Sequence, residues 1–238
     1  MNVNVKSILG IAAVSAVGVL SSAASSVTYD FGQVSGGPTP AGTPPWVQAS
    51  FTDVGMPSDT VQLPLTAENI APGAYVSCWY FNVNSLLTPG SLQFTQTGSA
   101  GSFGGPTIST GANAFKAGPD GKFDILFGFN STGDDSTRFT SGDSVTFTIT
   151  GISGLTVQDF NALSTSAGGS GAYASAAHIE SGSADCPSWV NPTATTQILG
   201  NADTRPPVPD TSATISLLGV SLAGIEAFRR KLMARAKR

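Results

Sequence analysis

Residues 145–150, Val145-Thr146-Phe147-Thr148-Ile149-Thr150, alternate apolar and polar side chains without a break. A period of two belongs to an extended strand, whose successive side chains point to opposite faces. This segment therefore places one face in a core and the other in water. Two further runs, Phe123-Asp124-Ile125-Leu126-Phe127-Gly128-Phe129 and Ala74-Tyr75-Val76-Ser77-Cys78-Trp79-Tyr80-Phe81, are denser in apolar groups, as strands near the middle of a sheet are. Working outward, residues 26–31, 47–52, 61–65 and 92–96 are also expected to be strands. Turn chemistry separates these runs at Pro119-Asp120-Gly121, Ser141-Gly142-Asp143, Thr88-Pro89-Gly90 and Ala71-Pro72-Gly73. Short strands punctuated this often predict an all-β fold, an antiparallel, jelly-roll-like β-sandwich. Residues 157–164 and 172–179 are expected to form short helical turns, and the Gly-rich stretches 98–111 and 168–171 to be loops.

The 238-residue composition fits that class and excludes others. Only 11% of the chain is charged, against about 25% in a typical soluble domain, too little for a coiled coil or a charged disordered tail. Hydrophobic residues make up 40%, enough to fill a core, and no charged or Pro-rich linker divides the chain before Thr204. The formal net charge is −4, but its distribution is uneven. Lys6 stands near the start, and Arg229, Arg230, Lys231, Arg235, Lys237 and Arg238 crowd the end. The stretch between keeps only Lys116, Lys122, Arg138 and Arg205, while Asp210 and Glu226 are the only acids outside it. So acidic a body repels anionic polymers, and no nucleic-acid partner is expected.

Both ends read as addresses. Residues 1–24 have a polar start with one cation, an apolar run from Ile8 to Leu20, and then Ser21-Ser22-Ala23-Ala24. That is the layout of a secretory signal peptide, too short to cross a hydrocarbon core of about 30 Å comfortably. Signal peptidase is expected to cut after Ala24, with Ser26 the alternative; an uncleaved N-terminal anchor is the competing reading. At the other end, residues 204–212 contain the stiff stretch Arg205-Pro206-Pro207-Val208-Pro209. Residues 213–228 follow as an apolar segment interrupted only by Glu226, and residues 229–238 as a cationic tail. Positive charge after an apolar helix holds that end on the cytoplasmic side, which leaves residues 25–203 outside as a single body. An ordinary single-pass anchor, with Arg229, Arg230 and Lys231 as its stop-transfer charges, gives the same orientation.

The C-terminal sequence resembles the PEP-CTERM sorting signal of Gram-negative bacteria, in the variant that carries Val-Pro-Asp. The resemblance is carried by Val208-Pro209-Asp210-Thr211, then Thr214, Leu217-Leu218-Gly219, Leu222-Ala223-Gly224 and Arg229-Arg230-Lys231. Where the variant continues with Ser-Gly, this chain has Thr211-Ser212. The resemblance implies export through the Sec route, transient anchoring in the inner membrane by the C-terminal helix, and cutting near the motif by an exosortase. The body would then be released or transferred to the cell surface. Residues 123–163 and 176–179 also look like ectodomain segments of other PEP-CTERM proteins, a group that implies no activity to carry over.

Candidate chemistry in the body is sparse. Cys78 and Cys186 are the only cysteines, and in an oxidising compartment they are expected to form a disulfide, with a buried thiol at Cys78 as the alternative. His178 is the only histidine; without a G-x-S-x-G elbow or zinc-type spacing it reads as structural. Asp134-Asp135 with Asp143, and Asp120 with Asp124, lack calcium-loop spacing and read as acidic surface turns. Trp46, Trp79, Tyr80, Tyr173 and Trp189 would be the rings of a sugar-stacking face, if the fold exposed them together. The expected function is that of a non-enzymatic, exosortase-sorted protein of the cell surface or matrix, with no cofactor and with exopolysaccharide of the biofilm as its partner. The alternative is a carbohydrate-binding module delivered by the same route.

Overall fold

The computed structural model describes residues 24–54, 59–132, 135–167, 172–181 and 187–198. Among them ten strands follow in chain order: β1 (Ser26–Gly36), β2 (Val47–Asp53), β3 (Val61–Ala67), β4 (Tyr75–Phe81), β5 (Gln93–Ala100), β6 (Thr107–Lys116), β7 (Lys122–Gly128), β8 (Ser144–Thr150), β9 (Ser175–Glu180) and β10 (Ser188–Ile198). Helical geometry among the described residues is confined to 3-10 turns at Pro89–Ser91, Asp135–Thr137 and Val157–Phe160. No helix among them is long and apolar enough to cross a membrane, and residues 213–228 lie outside them.

The alternation in β8 is realised side chain by side chain. Val145, Phe147 and Ile149 are buried, while Ser144, Thr146, Thr148 and Thr150 lie on the other face. Val27, Tyr29 and Phe31 of β1 and Val61, Leu63, Leu65 and Ala67 of β3 follow the same rule. Pro64 sits inside β3, and the pairing of β3 with β2 lapses between Leu65 and Gln62, where proline has no N–H to offer.

The strands join into one antiparallel sheet in the order β5-β8-β3-β2-β1-β10-β9-β4-β7-β6. The class and the antiparallel pairing are as expected. The division into two sheets is not found, because the β1–β10 pair hydrogen-bonds one half of the sheet to the other. Register shifts at Asp30/Phe31, Phe31/Gln33 and Val34/Gly36 interrupt that pair, and such bulges bend a sheet. The curled sheet brings its halves face to face: Phe127 of β7 lies 5.5 Å from Phe94 of β5 and 5.3 Å from Phe147 of β8, ring centre to ring centre. The result is a nearly closed barrel whose sheet ends at β5 and β6.

Aromatic rings fill the interior. Phe51 stacks on Phe160 at 4.5 Å and meets Phe81 edge-on at 5.1 Å, and Phe31 meets Trp79 at 5.3 Å. Each such ring, fully buried, contributes roughly 1.5–3 kcal/mol relative to an exposed one. A smaller apolar cluster of Tyr80, Ala117, Phe123 and Ala176 carries the half-buried Trp189 and Tyr173 at its margin.

Three expectations about elements are corrected. The stretch 172–179 is not a helical turn but runs into β9, because its Ala-rich sequence is claimed on both sides by pairing with β4 and β10. The stretch 98–111 is a loop only over residues 101–106: β5 continues to Ala100 and β6 begins at Thr107. The strand β10 was not expected. The turn anticipated from Val157 is present as the 3-10 segment Val157–Phe160.

Candidate functional site

A cleft of about 440 Å³ opens where the segment after β4, the middle of β6, the start of β7 and the segment after Val157–Phe160 converge. Its position follows from one carboxylate. Asp124 of β7 is buried, and its Oδ2 accepts the Val83 N–H at 3.1 Å while Oδ1 accepts the Asn113 N–H at 2.7 Å. The first bond ties down the chain leaving β4. The second holds a distortion in β6, where the register jumps from Thr110↔Ile125 to Phe115↔Phe123, so residues 111–114 face Asp124 alone. Asn113 takes a positive φ of 50° there, a conformation that asparagine tolerates better than most residues.

The opposite wall is fixed in a similar way. Asp159 closes a capping box with Thr156: its Oδ2 accepts the Thr156 N–H at 3.0 Å and the Thr156 hydroxyl at 3.2 Å. Its Oδ1 accepts from Asn84 Nδ2 at 3.2 Å, and the Asn84 N–H donates to the Asp159 carbonyl at 2.7 Å. Asn82, itself buried, donates to the Tyr173 carbonyl at 3.4 Å. The floor and rim are thus rich in carboxamides, from Asn82, Asn84, Asn113, Gln158 and Asn161, with Leu87, Pro89 and Leu163 as apolar wall. Among the described residues no Lys or Arg lines the cleft.

The sequence-predicted aromatic platform is not assembled. Trp46 and Trp79 are core residues, with relative exposures of 2% and 0%. Tyr80 is buried in the second cluster with Trp189 at 5.8 Å, and the half-buried Tyr173 lies at its margin. Alternation decides this: Trp79 and Tyr80 are neighbours on β4 and point to opposite faces.

His178 is half-buried on β9 with its ring 4.3 Å from Trp189. Its Nδ1 lies 2.7 Å from Ser77 Oγ and 3.4 Å from Glu180 Oε1. Hydroxyl and carboxylate share one ring nitrogen, whereas a nucleophile relay needs them on opposite nitrogens. Burial lowers the imidazole pKa, and the Glu180 carboxylate opposes that shift.

Of the acids read as surface turns, Asp120, Asp124 and Asp143 are buried instead. Asp143 accepts from the Thr140 N–H at 2.7 Å, Asp124 makes the two bonds above, and Asp120 is fully enclosed beside Ser35. Each is claimed by the protein's own donors. Among the described residues no group of three or more His, Cys, Asp or Glu side chains converges as metal ligands do. Asp134 lies outside the described residues, as do Cys186, the motif Val208, Pro209, Asp210 and Thr211, and the cations Arg229, Arg230 and Lys231. Cys78 is half-buried on β4, and burial pushes its thiol pKa up. Ala24 is exposed and precedes β1, so a cut after it would remove no strand residue.

Residues 207–232 match the VPDSG-CTERM motif family, a PEP-CTERM-like sorting signal. No curated protein and no solved structure matches the chain. The C-terminal segment marks an exported surface protein.

Proposed function

We propose that this chain is an exosortase substrate, a non-enzymatic protein delivered to the surface or matrix of a Gram-negative cell. Signal peptidase removes residues 1–24 as the Sec route exports the chain. The apolar segment 213–228 then holds it in the inner membrane, with Arg229, Arg230 and Lys231 on the cytoplasmic side. An exosortase-type protease acts near Val208-Pro209-Asp210-Thr211 and frees the body, which associates with exopolysaccharide of the biofilm. Cys78 and Cys186 pair once exported. The single observation that supports this reading is the sorting-motif match at residues 207–232.

Intact-mass measurement of the exported protein tests it. The expected product begins at Ser25 and ends close to the motif. A Pro209→Ala, Asp210→Ala double variant is expected to stay membrane-bound with its tail attached. Recovery of the full-length chain from the cytosol of its host, both ends intact, would overturn the proposal.

A carbohydrate-binding module delivered by the same route is the second reading. It can no longer rest on the aromatic rings, most of which are packed inside. What favours it is the carboxamide-lined cleft.

A further inference from the structure

We infer that the cleft between Asp124 and Asp159 binds a short segment of an uncharged, hydroxyl-rich polysaccharide; the inference rests on the reading of the body as a polysaccharide-associated protein. The space of about 440 Å³ lies within the range of roughly 300–1,000 Å³ typical of small-ligand clefts. Its chemistry is specific. The side-chain amides of Asn113, Gln158 and Asn161 line it and make no hydrogen bond to other described residues. Each carboxamide offers an acceptor oxygen and two donor hydrogens, and a sugar hydroxyl likewise both gives and takes. Leu163, 63% exposed, and the partly buried Leu87 present the apolar surface that the C–H face of a sugar ring covers.

Charge selects among glycans. Among the described residues the cleft has no cation in its lining, and two carboxylates, Asp124 and Asp159, stand in or behind its walls. Uronates, sulfates and phosphates would meet repulsion with nothing to offset it. The carboxylates themselves are occupied by Val83, Asn113, Thr156 and Asn84, so they brace the walls and leave recognition to the amides. The bracing also pre-orders the site. Asn113 is held at its positive φ by Asp124, and Asn84 is held at both backbone and side chain by Asp159. A ligand therefore does not have to order those segments on binding.

The test uses the full chain in a zwitterionic detergent, since a glycoside detergent would compete. Dextran, laminarin, mannan and chitooligosaccharides serve as neutral probes and alginate as the anionic one, with binding read by calorimetry. At least one neutral glycan is expected to bind and alginate not to. A Gln158→Ala, Asn161→Ala variant is expected to weaken that binding by about tenfold or more, as two lost hydrogen bonds imply, with an unchanged melting curve. Asn113→Gly, which removes an amide and accepts positive φ, gives a second variant with the same expectation. No neutral binding, equal binding of alginate, or affinity that survives both variants would overturn the inference. None of these results bears on the sorting reading, which the intact masses test separately.

Discussion

Replacing Asp120 by Asn is expected to stabilise the fold and to flatten its response to pH. Asp120 is fully buried in the turn between β6 and β7. Its Oδ2 accepts from Ser35 Oγ at 2.9 Å, and its Oδ1 has no hydrogen-bond partner among the described residues. Burial raises its pKa, and the Ser35 hydroxyl and the Asn191 amide only partly offset that. In Asp120→Asn the new Nδ2 can donate to Ser35 Oγ, whose own proton then goes to the Trp189 carbonyl, 3.2 Å away. The neutral amide removes the buried charge whose desolvation raises the carboxyl pKa, and the lost charge-assisted bond takes back part of that, so the net gain is about 1 kcal/mol near neutral pH. For a domain of this size that is a rise in Tm of roughly 2–4 °C.

The sign of the pH dependence follows from linkage. A carboxyl whose native pKa lies above its unfolded value binds its proton more tightly when folded. Its contribution is fully present below the unfolded value and is lost as pH rises through the native one. The wild-type chain loses that contribution on going from acid to neutral pH, and the variant does not have it to lose. Urea unfolding of both proteins at about pH 3.5 and about pH 7.5, on either side of the usual carboxylate range, measures the difference. The gain is expected to be larger at the higher pH. A variant less stable than wild type at neutral pH, or a gain that grows towards acid, would refute the reasoning.

Three further outcomes are expected. Gly118→Ala places a Cβ 2.6 Å from the Trp189 ring at a φ of +40°, which is expected to cost about 1–3 kcal/mol and to shift the tryptophan emission; an unchanged Tm would contradict this. Phe51→Ala removes the ring between Tyr29, Phe81 and Phe160 and is expected to cost about 3–5 kcal/mol in urea unfolding. A loss under about 1 kcal/mol would show that the core closes over the gap. If Cys78 and Cys186 pair after export, a free-thiol assay on the denatured exported protein finds none; two reactive thiols would exclude the disulfide.

What the sequence discloses and what it hides have physical causes. The strand β8 could be read from residues 145–150 because one of its faces is buried and the other is not. The strand β6 could not: it ends the sheet, most of its side chains are exposed or only partly buried, and the distortion at residues 111–114 breaks any period. The Ala-rich start of β9 favours helix locally, and only pairing with β4 and β10 overrides it. Burial of Trp46 against burial of Trp189 depends on sheet curvature, which no local pattern carries. The cleft was hidden for a related reason: Asn84, Asn113 and Asn161 are distant along the chain and meet only because Asp124 and Asp159 pin their segments. The one local hint was Asn82-x-Asn84 directly after the most apolar strand.

The seam between β1 and β10 has a consequence for how the chain is made. Ribosomes deliver the N-terminus first, so β1 emerges long before β10, its partner along the middle of the sheet. Until then β2, β3, β5 and β8 can assemble beside β1, while β9 can join only β4, β7 and β6. A nascent or truncated chain lacking residues from Ser188 onward is thus two half-sheets, each with an unsatisfied row of amides and carbonyls at its inner border. Such borders invite pairing with other chains, which makes β10 the strand that protects the others.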